Sequence, residues 1–563
     1  MNASLAAIAC IALYIIGYRY YGGHLARRVF RLDPARITPA HRLNDGLDYV
    51  PSSRAMLFGH HYASIAGLSP MLGPAIAVIW GWLPGMLWVV FGTLLIGAVH
   101  DFGCLVLSMR SNGESIGTLV ERIIGPRARP LFLILIFFLV SVAMGLFVHV
   151  VSTLFSREFY PQAVMPTGSL MLIAVVMGLL IYKARKPLGW VTAGALAVML
   201  LCVWAGLRVM GPDLAVGNWN LILLAYAFVA SVLPVWLLLQ PRDFINSLLL
   251  YLGLALMYAG FFLLRPQFDA PMIQTQAQGA PPFIPFVFIT IACGAISGFH
   301  GLVSSGTTAK QINREQDAQF IGYGAMIGES LLGLIAVLAC TAGFLSAEKW
   351  QQHYSQWQSG LAHNMRAFID GTSLFINQVG IPMELAKAFV ALVAVSFALT
   401  TLDSATRLLR YNLEEIAATA KQKWLGNRFV ASFLAVLAIG FFAFFQVDGK
   451  PAGVILWVIF GTTNQVLGAL SLLAITLYLM QRRAPYLWTL LPMVFMLVTT
   501  LYAMGSQVRG FIGKEQILLA VVGIGILALT VWLCVEAALR LIQMRRERRA
   551  EAARRPHSGQ AAG

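Results

Sequence analysis

Two stretches decide the fold: Ala66-Gly67-Leu68-Ser69-Pro70, with Gly73-Pro74 just beyond, and Ala230-Ser231-Val232-Leu233-Pro234, which repeats the Ala-small-x-x-Pro pattern 164 residues later. Each sits in an apolar run long enough to cross a bilayer. Proline removes a backbone donor and frees a carbonyl, and in lipid such a break persists only where protein or a watery cavity satisfies it. One such motif alone reads as a proline kink. A pair in corresponding positions points to discontinuous helices around a midplane binding site. Gly67, Ser69, Pro70, Ser231 and Pro234 are therefore candidate substrate contacts, because half-helix N-termini carry partial positive charge and offer free amides to a carboxylate.

The surrounding composition fits. The 563 residues are 58% hydrophobic and only 11% charged, where a soluble chain carries roughly a quarter charged. An all-α polytopic membrane protein is expected, and a soluble enzyme is excluded. Uncharged runs bounded by polar turns give fifteen candidate spans, near 3–18, 56–80, 84–109, 130–155, 168–182, 188–210, 219–239, 243–264, 284–309, 320–346, 384–406, 428–447, 453–480, 486–504 and 515–542. The second break lies five spans after the first, an odd offset that inverts the second copy. The expected organisation is an N-terminal helix and basic segment (1–55), a first five-helix repeat (56–210), an inverted second repeat (219–410) and additional helices (428–542), a leucine-transporter-like core with a disordered basic tail at 543–563.

A net charge of +16 would suggest nucleic acid in a soluble protein; here it is a question of sides, and no nucleic-acid partner is expected. With the N-terminus outside and the C-terminus cytoplasmic, 31 of the 40 Lys and Arg residues fall on the cytoplasmic side and 9 on the other, as the positive-inside rule requires. The first apolar run is followed by Arg19, Arg27, Arg28 and Arg31 and preceded by no basic residue, the reverse of a secretory signal's charge order. The six cysteines lie singly in apolar stretches, which indicates neither a disulfide framework nor a metal site.

A third stretch, SGFHGLVSSGTTAK from Ser297 to Lys310, carries G-x-x-x-x-G, but Thr307 stands where a phosphate-binding loop needs its lysine. No nucleotide or other cofactor is indicated. The hydroxyls of Ser304, Ser305, Thr307 and Thr308 serve either close helix packing or a coupling ion or substrate. Asp101, nine residues from Arg110, lies about 13.5 Å into the core at 1.5 Å per residue. His300 and Glu329 reach a similar depth by the same arithmetic. Ionisable residues at that depth are costly unless paired or hydrated, so His60, His61, Asp101, His300 and Glu329 are the candidate proton carriers. His100 adjoins Asp101 but projects about 100° away. Asp403 and Arg407, four apart on one span, are expected to form a structural salt bridge or gate latch.

YRYYG at 18–22, Arg28-Val29-Phe30, HRLNDGLDYVP at 41–51, FGHH at 58–61, AVHDF at 98–102, ASVLPVWLLLQPR at 230–242, SGFHGLVSSGTTAK at 297–310 and TLDSATR at 401–407 together resemble the signature of the carbon starvation CstA family. The resemblance implies a multi-pass transporter of the bacterial inner membrane, in the amino acid, polyamine and organocation superfamily with its inverted five-helix repeats. It also implies uptake of peptides or pyruvate during nutrient limitation. The combined expectation is a secondary active importer of a small carboxylate-bearing substrate, coupled to protons in preference to sodium. A passive facilitator would be expected to show a charge ring or filter, and a membrane sensor a soluble output domain. Neither is visible.

Overall fold

The computed structural model describes residues 2–157, 159–209, 211–357, 361–447 and 449–554. It is almost wholly helical, with a two-residue β ladder pairing Gln446–Val447 and Lys450–Pro451. Among the described residues, eleven helices are long and apolar enough to cross a membrane, and twelve if Arg54–Ile65 and Ser69–Trp80, bent by 46° at their break, count as one span. The remaining three of the fifteen expected spans fall on helices too short to meet that criterion, Val216–Val232 and Arg428–Phe444 and the pair Phe283–Thr290 and Gly298–Gly306, so the count of fifteen exceeds what these helices show.

The first break stands where the sequence places it. Ser53 caps the helix Arg54–Ile65 through the Met56 amide, the chain leaves helical geometry at Ala66, and a new helix starts at Ser69 with Pro70 in its first turn, where a missing amide hydrogen costs nothing. The second break stands elsewhere. Helix Val216–Val232 simply ends at the Leu233-Pro234 step, and the next helix begins at Leu239, so Pro234 lies in a connection between two helices. A second interruption lies instead at 291–297, between the helices Phe283–Thr290 and Gly298–Gly306, next to the glycine- and hydroxyl-rich stretch.

Two further differences concern the C-terminal half. Helix Leu361–Asn377 was not expected. Arg366 and Asp370 lower its hydropathy, yet it packs against Leu239–Leu264, Gly324–Ala342, Ser69–Ala77 and the long helix Met383–Thr419. The last helix runs from Ile517 to Arg554, so the front of the expected disordered tail is helical; residues 555–563 lie outside the described residues. At the centre, Met383–Thr419 packs along Ala128–Leu154 and is buried almost continuously from Ala386 to Asn412, which makes it the wall against which the first break is held.

Candidate functional site

The two breaks touch. Gly294 has φ +96°, a conformation that disfavours any side chain, and a Cβ there would sit 3.3 Å from the Pro70 Cα. A Cβ on Gly73 would come within 2.6 Å of the Thr290 carbonyl oxygen, and one on Gly67 within 2.6 Å of Thr401 Oγ1 on the long helix. Glycine at 73 and 294 therefore lets the two backbones converge, and glycine at 67 leaves room for the Thr401 side chain.

Their backbone groups are treated differently. At the second break, the Gly294 amide donates to Glu329 Oε1 at 3.2 Å and the Phe299 amide to Asn464 Oδ1 at 3.0 Å. Asn464 Nδ2 also donates to Ser297 Oγ at 2.9 Å. At the first break Gly67 N closes back on Ile65 O at 2.9 Å, whereas the Leu68 and Ser69 amides have no protein partner among the described residues. Two free amides at the N-terminus of a nine-residue helix form a ready anion site.

Just below the breaks lie two buried ionisable networks, joined at the adjacent His60 and His61. His61 Nε2 meets Asp101 Oδ2 at 2.8 Å and its Nδ1 meets Thr308 Oγ1 at 2.8 Å, while Ser304 donates to the other oxygen of Asp101. His300, one helical turn before Ser304, approaches Glu329 Oε1 with its Nε2 at 3.4 Å, so Glu329 stands between this helix and the second break. His60 Nδ1 pairs with Asp243 Oδ2 at 2.6 Å, and Asp243 Oδ1 accepts from Arg242 Nη2 at 2.6 Å. Arg242 in turn binds Tyr226 and Asp403. All of these histidines, carboxylates and Arg242 are fully buried. His100 does not join Asp101; its Nε2 faces Cys104 Sγ at 3.7 Å.

The sequence-predicted set is thus divided. Ser304 and Thr308 belong to the ionisable site, but Ser305 and Thr307 donate back to Gly301 and Val303 of their own helix. Ser231 likewise donates to Phe228 O, so neither it nor Pro234 faces the breaks. Asp403 and Arg407 do not pair. Asp403 is taken by Arg242 and Tyr226, whereas Arg407 donates to Asp48 Oδ1 at 2.8 Å and to the Ala230 and Leu233 carbonyls. The carbonyls released at the Leu233-Pro234 step are therefore satisfied by a guanidinium.

Asp48 also receives Arg410 at 3.2 Å. Burial would raise this carboxyl, but Arg407, Arg410 and Lys310 outweigh it and hold it at about 2. The loop carrying it is ordered by Asp45, whose Oδ1 accepts the Leu47, Asp48 and Tyr49 amides, and it is bound to neighbouring segments through Ser52 N to Gln311 O and Val235 N to Leu47 O.

On the opposite side of the breaks a cavity of about 490 Å³ opens, with Ser69, Gly73 and Cys293 at its floor and the exposed Lys514 and Gln516 at its mouth. Ser69, Cys293 and Phe460 also line a constricted continuation of about 20 Å³ between Gly67, Phe299 and Thr401.

Sequence reasoning missed Arg242, Asp243, Asp48 and Asn464. The signal for the first two is an Arg-Asp step between two apolar runs separated by only a few residues, too short a gap to be a solvated loop; for Asn464 it is Thr462-Thr463-Asn464-Gln465 inside an apolar span.

A multi-pass membrane protein with two touching helix breaks and a cavity on one side of them has the architecture of a transporter. The carbon starvation protein CstA family model matches residues 2–356 and 345–503, and the chain belongs to that family. The Escherichia coli peptide transporter CstA is 33% identical, the alignment covering 89% of this chain and 81% of that one. The Escherichia coli pyruvate/proton symporter BtsT is 32% identical over 90% of this chain and 82% of that one, and the Campylobacter jejuni peptide transporter CstA is 32% identical over 89% and 80%. These relatives are transporters, not enzymes.

Proposed function

We propose that the chain is a secondary active importer of the bacterial inner membrane, carrying a small carboxylate-bearing nutrient, pyruvate or a peptide, in symport with protons during nutrient limitation. The observation that carries this reading is the charge count of the joined networks. Asp101, Glu329, Asp243 and Asp403 face a single permanent cation, Arg242, which leaves a deficit of three positive charges matched by His60, His61 and His300. An uncompensated charge in a dry interior costs several kcal/mol, so the set is neutral only when it holds protons, and it can release them when the site opens to water.

The substrate carboxylate takes the Leu68 and Ser69 amides of the first break. The two broken helices open the halves of an inverted repeat of five core helices within a fifteen-span chain. Its second half starts at Phe283, and the N-terminus is outside, which places the open cavity outside and the Asp48 latch with Arg407 and Arg410 at the cytoplasmic gate. Labelled pyruvate and labelled dipeptides, offered to proteoliposomes under imposed proton or sodium gradients, test the reading. Concentrative uptake of either substrate driven by protons is expected. Uptake insensitive to both gradients would replace the symporter with a facilitator.

A further inference from the structure

The outer cavity has a chemistry of its own. Trp357, Trp457, Phe286, Phe460 and Phe511 supply aromatic walls, and among the described residues Lys514 is the one charged side chain on the lining and no Asp or Glu lines it. Lys514 caps the helix Leu487–Gly513 at its C-terminus, where the helix dipole favours a cation, and no ion pair engages it among the described residues. At about 490 Å³ the chamber is far roomier than the constriction of about 20 Å³ beneath it, so a ligand can rest here before the breaks admit it.

We propose that this cavity is a separate first-encounter site for organic anions, in which Lys514 holds the carboxylate at the mouth while the aromatic walls take the apolar body. Lys514 is thereby a specificity-determining residue. A monocarboxylate leaves no charge unmatched on the lining, whereas the ammonium of a zwitterionic peptide meets the lysine's own charge on a lining that carries no carboxylate among the described residues, the exposed Glu515 lying beside the mouth and not on that lining. The proposal rests on the transporter reading and on the outward position of the cavity, and it decides between the two substrate classes that reading leaves open.

The test compares the wild type with Lys514→Gln, Lys514→Glu and Lys514→Arg in proteoliposomes. Removing one charge at contact distance from an anion near the surface should raise the KM for pyruvate about fivefold at unchanged maximal rate, with Lys514→Glu worse and Lys514→Arg close to wild type. Added salt should raise the wild-type KM and leave that of Lys514→Gln unmoved. A merely structural role for the helix cap would lower protein abundance or maximal rate and would not produce that split. Independently of transport, pyruvate should protect Cys293, on the cavity floor, from a membrane-impermeant thiol reagent, and zwitterionic Ala-Ala should not. Equal KM and salt dependence in wild type and Lys514→Gln, or protection by Ala-Ala at the same concentration as pyruvate, would overturn the proposal while leaving the transporter reading in place. Absence of uptake of either substrate alongside Lys514-dependent protection by pyruvate would count against the transporter reading and for the site.

Discussion

The two helix breaks look alike in sequence, small residues and an interruption in an apolar run, yet one is furnished and the other is bare. At the second, Glu329 and Asn464 occupy the amides of Gly294 and Phe299. At the first, Leu68 and Ser69 point amides at no protein group among the described residues. A buried donor without a partner costs about 1 to 3 kcal/mol, which on the proposed reading a substrate carboxylate offsets at the bare break and protein groups offset at the furnished one. Glu329 stands at both, holding the second break while facing His300 of the proposed proton network.

Changes near the bare break or its proton network should therefore cost transport, and changes to the furnished one should cost stability. The largest effect is expected for Asp101→Asn, which keeps shape but cannot ionise; it should abolish proton-driven accumulation while retaining substrate exchange at normal abundance, measured as counterflow in proteoliposomes. Gly67→Ala comes next. Its Cβ would meet Thr401 Oγ1 at 2.6 Å, and such overpacking should pry open the bare break, cutting uptake per folded molecule at least about tenfold beyond any loss of stability. Asn464→Ala should do the reverse, lowering stability by about 1 to 3 kcal/mol in a thermal melt, with uptake per folded molecule within about twofold of wild type. If both variants lose uptake equally at equal stability, the contrast between the breaks fails.

The smallest effect is expected at the gate. Asp48 sits at about 2 against an ordinary value of 3.8. A carboxyl depressed on folding stabilises above its unfolded value and loses that contribution as pH falls toward the folded one. The Asp48→Asn variant should thus be destabilised at pH 7 by up to about 2 kcal/mol, and the gap should narrow between pH 4 and pH 2. A gap constant over that range would show that Arg407 and Arg410 do not act on its charge.

The first break, the run of apolar spans and the five titratable residues were legible because Pro70, and Asp or His in lipid, stand out against an apolar background. Who pairs with whom was not. Asp403 and Arg407 share a helix face, but the short 233–238 connection carries Arg242 and Asp243 into the core, and the folded loop at 43–53 brings Asp48 to Arg407 across more than 350 residues of chain. Such partners are fixed by tertiary packing that no local spacing records. Pro234 misled for a related reason: proline marks the end of a helix as readily as the middle of a broken one. The actual second break lacks proline and is made by Gly294 and a run of small residues.

Pyruvate-dependent proton entry bears most directly on the central claim, that substrate held at the bare break moves together with protons held by the Asp101–His61 pair. Proteoliposomes containing a trapped pH dye, with no imposed gradient of pH or sodium and with the membrane potential clamped, should acidify inside when pyruvate is added to wild-type protein and should not when the protein is Asp101→Asn. Labelled pyruvate entering the wild type without acidification, or acidification unchanged in Asp101→Asn, would contradict it.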